Sequence, residues 1–184
     1  MKIGNREFQT KGHTYVMGIL NVTPDSFSDG GKWNDRERAL KHVEEMIAEG
    51  MDIVDIGGES TRLGYTLLSD EEEIARVVPM IEAVKANFDI PISGVGFGKT
   101  YENNLEIINC LEELNMFGYP LLLGCSRKSV IGLTLDLPVT ERVEGTLVTT
   151  MFGVQKGCMF VRVHDVKENV RTIKMCEAIL NSGK

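Results

Sequence analysis

The sequence lacks the features that mark a membrane span, a nucleic-acid footprint or a disulfide scaffold. No run approaches the roughly 18 apolar residues that would suggest a transmembrane helix. The opening, Met1-Lys2-Ile3-Gly4, has none of the apolar stretch of a signal peptide, so a cytoplasmic protein is expected. Basic residues are in the minority, 20 Lys and Arg against 27 Asp and Glu, for a net charge of −7. That balance excludes sequence-independent nucleic-acid binding, which needs clustered cations to displace counterions. Four cysteines, Cys110, Cys125, Cys158 and Cys176, show neither C-x-x-C spacing nor histidines at zinc spacing, and read as buried thiols. There is no repeat, low-complexity stretch or linker. One domain over residues 1–184 is expected, long enough to bury a core.

What the sequence does contain is an alternation of apolar runs and helical patterns. Residues 3–15 suggest a short hairpin, and 15–20 (YVMGIL) a buried strand. The spacing of Ala39, His42, Val43, Met46 and Ile47 predicts a helix over 35–49, closed by Gly50. A strand at 53–56 follows. Ser69 and Glu72 form a capping box before a helix carrying Ile74, Val77, Val78, Ile81 and Val84. Further strands are expected at 90–93, 121–124 and 160–163. Helices are expected at 100–116, at 140–156 with Gly157 behind it, and from an Asp165/Glu168 cap to Leu180. Five strands separated by helices imply a parallel α/β sheet.

In such a sheet, ligands bind at the carboxyl ends of the strands. The polar clusters fall there. Asn21 to Gly31 follows the first strand, Gly57 to Arg62 the second, Gly94 to Thr100 the third, and Gly124 to Ser129 the fourth. Arg162 and His164 alternate at the end of the fifth. Arg62, Arg127, Lys128, Arg162 and His164 could therefore converge on one mouth, and guanidinium forks suit phosphate oxygens. Taken singly, each has a plainer reading: a loop cation is ordinarily solvated surface, a strand-end histidine is often structural, and the glycines could simply make turns. Five loaded strand ends in succession favour the functional reading.

The segments M-G-I-L-N-V-T-P-D-S-F-S-D-G-G at 17–31, G-G-E-S-T-R at 57–62, G-F-G-K at 96–99, S-R-K-S at 126–129 and R-V-H-D-V at 162–166 resemble dihydropteroate synthase. The resemblance runs from near the N-terminus to the final helix. It implies a (β/α)₈ TIM barrel that joins 6-hydroxymethyl-7,8-dihydropterin pyrophosphate to 4-aminobenzoate, giving dihydropteroate and pyrophosphate with Mg²⁺, and that sulfonamides target. It implies that Asn21 helps hold Mg²⁺ and pyrophosphate, and that Arg62, Arg162 and His164 contact pyrophosphate. Thr61, Phe97 and Ser129 would border the aminobenzoate, with Lys128 between the substrates. Gly124, Ser126 and Arg127 are candidate substrate contacts in the same loop. The family is usually dimeric, which implies a homodimer acting on small molecules.

The sequence departs from that family at its centre. The V-D-T, N-D, M-H and D-P-G segments that would follow the third strand are missing, and Ser93 runs directly into Gly94. About three βα units, with the acidic and amide groups that recognise the pterin, are absent at the 93/94 junction, and Leu63 stands where Pro is usual. A parallel barrel short of three strands cannot close. It should expose two long sheet edges and an apolar interior, unless two copies exchange segments. Two other readings follow: a shortened, inactive chain that retains only anion binding, and a P-loop-like nucleotide binder. The second rests on S-G-V-G-F-G-K-T at 93–100, one residue from the G-x-x-x-x-G-K-[ST] pattern.

Overall fold

The computed structural model describes residues 1–4, 6–22, 32–57, 70–93, 101–117 and 120–183. The hairpin is smaller than expected: β1 (Lys2–Ile3) pairs antiparallel with β2 (Arg6–Glu7), and the chain then runs irregularly to β3. Five strands form one parallel sheet: β3 (Tyr15–Asn21), β4 (Ile53–Gly57), β5 (Ile92–Ser93), β6 (Leu122–Leu123) and β7 (Phe160–Val163). The helices between and after them are α1 (Lys32–Glu49), α2 (Asp70–Asn87), α3 (Tyr101–Asn109), α4 (Ser129–Leu135), α5 (Val143–Gln155) and α6 (Val166–Asn181).

The strand order is β5-β4-β3-β7-β6. In a (β/α) barrel each strand pairs with its neighbours in sequence, and the last closes on the first. Here β3 pairs with β7, so first-to-last closure is present. Among the described strands of this sheet, β5 and β6 are the one consecutive pair that does not meet. The sheet is thus an arc of a barrel, open between β5 and β6. Its edges are not the long ones expected, since each is a two-residue strand with little backbone to offer a partner.

Alternation along β3 divides its side chains between two faces. Val16 and Leu20 join Val54, Ile56, Val161 and Val163 against the helices. There they meet Ala39, Val43 and Met46 of α1, Ala83 and Val84 of α2, and Val166 and Ile173 of α6. On the other face Met17, Ile53, Met159 and Phe160 pack beneath Phe8, so the segment after the hairpin plugs the amino end of the arc. The expected apolar interior is therefore covered there: Met17 and Ile19 are both buried.

Several local expectations need correction. Ile47 and Val78 are exposed, because they lie at the margin of stripes centred on Val43 and Met46 and on Met80 and Val84. The 100–116 helix stops at Asn109 and continues as a 3₁₀ turn, Leu111–Phe117. Lys156 Nζ donates to the Asn109 carbonyl at 2.7 Å, and the Glu113 amide turns to Cys110 instead. The 140–156 helix begins only at Val143, after a 3₁₀ turn, Val139–Glu141. The α4 helix has no counterpart in the sequence reading. Gly50 and Gly157 do end α1 and α5, with φ of 102° and 84°, conformations that side-chain-bearing residues avoid. The Ser69 cap lies outside the described residues. All four cysteines are free.

Candidate active site

Residues in register on parallel strands share a face, and one rank of them builds the carboxyl-end mouth. Asn21 stands beside Gly57, Ile19 beside Asp55, and Met17 beside Arg162. Arg162 starts two residues below Asp55, and its side chain rises across β3 to reach it. Nε and Nη2 both donate to Asp55 Oδ2 at 2.5 Å. Asp55 is 2% exposed. A carboxylate that deep is ionised at acceptable cost only with a charged partner, so the pair fixes the guanidinium over the middle of the arc. Gly124, at the end of β6, lies alongside the stem: a Cβ there would stand 3.9 Å from Arg162 Cβ. Asn21 Oδ1 lies 3.6 Å from where a Cβ on Gly57 would be, so the amide oxygen stands over the end of the neighbouring strand.

His164, beyond β7, is oriented by Ser126. The serine Oγ accepts the His164 backbone N–H at 3.1 Å and lies 3.0 Å from Nδ1. Ser126 Oγ thus ties both the backbone and the ring of His164, and so fixes the direction of the imidazole.

Arg127 is placed differently from the expected convergence. Its guanidinium turns to Asp165, Nε donating to Oδ2 at 3.0 Å and Nη2 donating to Oδ1. That carboxylate raises the Arg127 pKa further, chiefly through the hydrogen bond. The same pair explains a second correction: Asp165 occupies the N-cap position of α6 but makes no side-chain cap bond, because the charged fork outcompetes a backbone amide. The Arg127 backbone is left-handed, with φ of 55°, uncommon for a residue with a side chain. Lys128 follows in extended geometry, and Ser129 opens α4. Burial raises the pKa of the adjacent Cys125 thiol, which keeps it protonated and unreactive.

Thr61, Arg62 and Phe97, with the rest of the expected 22–31, 58–69 and 94–100 loops beyond Val22, lie outside the described residues. Asn21, Gly124, Ser126, Lys128, Ser129, Arg162 and His164 belong to the described mouth, at the ends of β3, β6 and β7 and in the loop after β6. The sequence reading gave no role to Asp55 and took Asp165 for a helix cap. Asp55 sits inside an apolar strand run, I-V-D-I, and a charge there is the signal that a partner waits in the interior. Among the described residues, no group of three or more His, Cys, Asp or Glu could hold a metal ion.

An arc of parallel strands with polar side chains at its carboxyl mouth is the architecture of TIM-barrel enzymes, and the comparisons identify which of them. The chain belongs to the family of pterin-binding enzymes, whose profile matches residues 17–93 and 94–164. Within it, the dihydropteroate synthase of Clostridium beijerinckii is 43% identical, covering 98% of this chain and 99% of the relative. That of Bacillus subtilis is 38% identical, over 94% and 91%. A Clostridium difficile dihydropteroate synthase structure obtained in the presence of pteroic acid superposes with a TM-score of 0.87 at 34% identity, covering 94% of this chain and 99% of that one. A Yersinia pestis dihydropteroate synthase structure with a sulfonamide drug complex gives 0.88 at 28%, covering 99% of each chain. The C. beijerinckii alignment runs over 267 positions, more than the 184 residues of this chain. The profile match divides between Ser93 and Gly94, where β5 ends.

Proposed function

We propose that the chain acts as a dihydropteroate synthase, joining 6-hydroxymethyl-7,8-dihydropterin pyrophosphate to 4-aminobenzoate. The observation that carries this reading is the placing of Asn21, Arg162 and His164 in the carboxyl-end halves of the paired parallel strands β3 and β7 or just beyond, each inside a family motif. In the reaction the aminobenzoate nitrogen attacks the pterin methylene carbon, a C–N bond forms, and the C–O bond to pyrophosphate breaks. Negative charge grows on the departing oxygens, so preorganised donors lower the barrier. Arg162, held by Asp55, and His164, held by Ser126, supply two of them. Arg62 and Lys128 supply the others, Lys128 between the two substrates. Thr61, Phe97 and Ser129 border the aminobenzoate, with Gly124, Ser126 and Arg127 shaping the wall behind it.

Asn21 offers one hard amide oxygen, which suits Mg²⁺, an ion that keeps most of its waters and takes phosphate oxygens as further ligands. Asn21 would help hold Mg²⁺ there, and the ion would supply neutralisation of leaving-group charge. The working species is a cytoplasmic homodimer acting on small molecules, as is usual in the family.

The chain is, in this reading, a shortened member lacking about three βα units at the 93/94 junction. The divided profile match, the longer alignment and the opening between β5 and β6 all favour it. The same opening supports a second reading, in which the pyrophosphate side persists while coupling is lost. Each pterin donor or acceptor left unpaired costs about 1–3 kcal/mol. A nucleotide-binding P-loop at 93–100 is the weaker alternative, since the family profile runs through those residues. Incubation with both substrates and Mg²⁺, followed by chromatography for dihydropteroate, tests the first reading. Product supports the synthase; pyrophosphate binding without product supports the second; neither leaves both without support.

A further inference from the structure

The loop carrying Ser126 to Ser129 is held from below by a residue that none of the motifs contains. Arg142 precedes α5, and its guanidinium reaches three backbone carbonyls. Nε donates to Leu137 O at 3.0 Å, and Nη1 donates to Arg127 O at 3.0 Å and to Lys128 O at 3.4 Å. Its path runs over Gly132 of α4. A Cβ at that position would stand 2.2 Å from Arg142 Cζ and from Nη2, too close for any side chain. Thr146, one turn into α5, completes the brace. Its Oγ1 donates to Arg142 O at 2.9 Å and accepts the Arg127 N–H at 3.1 Å. The left-handed backbone of Arg127 is thus fixed through its amide, its carbonyl and its side chain. Non-glycine residues keep such a conformation only where the surroundings over-determine it.

We propose that Arg142 is a positioning residue: through the space left by Gly132 it clamps the Arg127 and Lys128 carbonyls and so sets where Lys128 meets the pyrophosphate. A planar fork matches this task, because one guanidinium satisfies carbonyls in fixed directions that an ammonium cannot reach together. The functional half of the inference rests on the pyrophosphate site proposed above, while the clamp itself does not.

The test uses the full chain and two independent ways to break one contact, Arg142→Lys and Gly132→Ala. Inorganic pyrophosphate with Mg²⁺ is titrated calorimetrically, and amide hydrogen exchange at Arg127 and Lys128 is measured without ligand. Each variant should weaken pyrophosphate binding at least about tenfold, as a displaced binding group does. Each should also speed exchange at both amides. The double variant should be no worse than either single one, since both remove the same interaction. Guanidinium ion added to Arg142→Ala, well below denaturing concentration, should restore affinity, which a general loss of stability would not allow. Unchanged exchange and affinity in Arg142→Lys would overturn the proposal, as would losses that add in the double variant. If the unaltered chain binds no pyrophosphate, the site reading falls, and the exchange rates alone decide the clamp. If Gly132→Ala does not fold, Arg142→Lys and the guanidinium rescue carry the same decision.

Discussion

Replacing Asp55 by Asn removes one charge from the interior and leaves Arg162 in place. The carboxylate is almost wholly buried, while the arginine side chain keeps 20% of its surface. Breaking a buried ion pair on one side costs about 3–5 kcal/mol, because the surviving charge is left uncompensated. Asn retains a neutral acceptor and Arg162 touches water at the mouth, so the lower end, about 3 kcal/mol, is expected. For a domain of this size that is a fall in melting temperature of about 6–12 °C. Circular dichroism at neutral pH reads it directly. The companion variant, Asp55→Leu with Arg162→Met, removes both charges. Its melting temperature should return to within a few degrees of the parent, since apolar replacement of a buried pair is often neutral. Pyrophosphate binding should nonetheless be lost. A shift of under about 2 °C in Asp55→Asn would refute the reasoning, because it would mean that Arg162 is not braced by this contact.

Ser126→Ala should cost about 1–2 kcal/mol by leaving the His164 amide and Nδ1 without their partner. It should also change the tautomer balance of the imidazole, visible in the ¹⁵N shifts of the ring; unchanged shifts would contradict a Ser126 hydrogen bond to Nδ1. Asp165→Asn should cost about 1 kcal/mol, the pair being partly exposed, and the loss should shrink in high salt, as urea unfolding at two ionic strengths will report. Burial pushes the Cys158 thiol up to about 11. Its stabilising contribution is complete below the unfolded thiol value near 9 and is lost as pH rises towards 11, by about 2 kcal/mol. Urea unfolding from pH 8 to 11 should show that slope in the parent and a shallower one in Cys158→Ala.

How far the sequence revealed this protein varied with the kind of signal. The strand β7 was read with its exact bounds and β3 to within a residue, because an apolar run with polar ends leaves little choice of register. The barrel-arc order was harder, since pairing of first with last strand is a tertiary fact that no local pattern encodes. The α4 helix was missed because seven residues, S-V-I-G-L-T-L, carry a glycine and three β-branched residues, so propensity argues against the helix. That glycine exists for the Arg142 guanidinium, a contact between residues ten positions apart in sequence. The Asp165 cap failed for a related reason: an Asp before a helix reads as a cap until an arginine from another loop takes it. At the strand ends, the motifs pointed to Asn21, Arg162 and His164. They were silent on Asp55, Thr146 and Arg142, which act by holding those motifs and their loops in place.

The most direct test is calorimetric titration of the intact chain with pyrophosphate and Mg²⁺, beside the double variant Asp55→Leu, Arg162→Met. A built anion site at the mouth predicts saturable one-site binding that the double variant abolishes while the fold persists. Equal binding by the parent and the variant, or no binding by either, would contradict it.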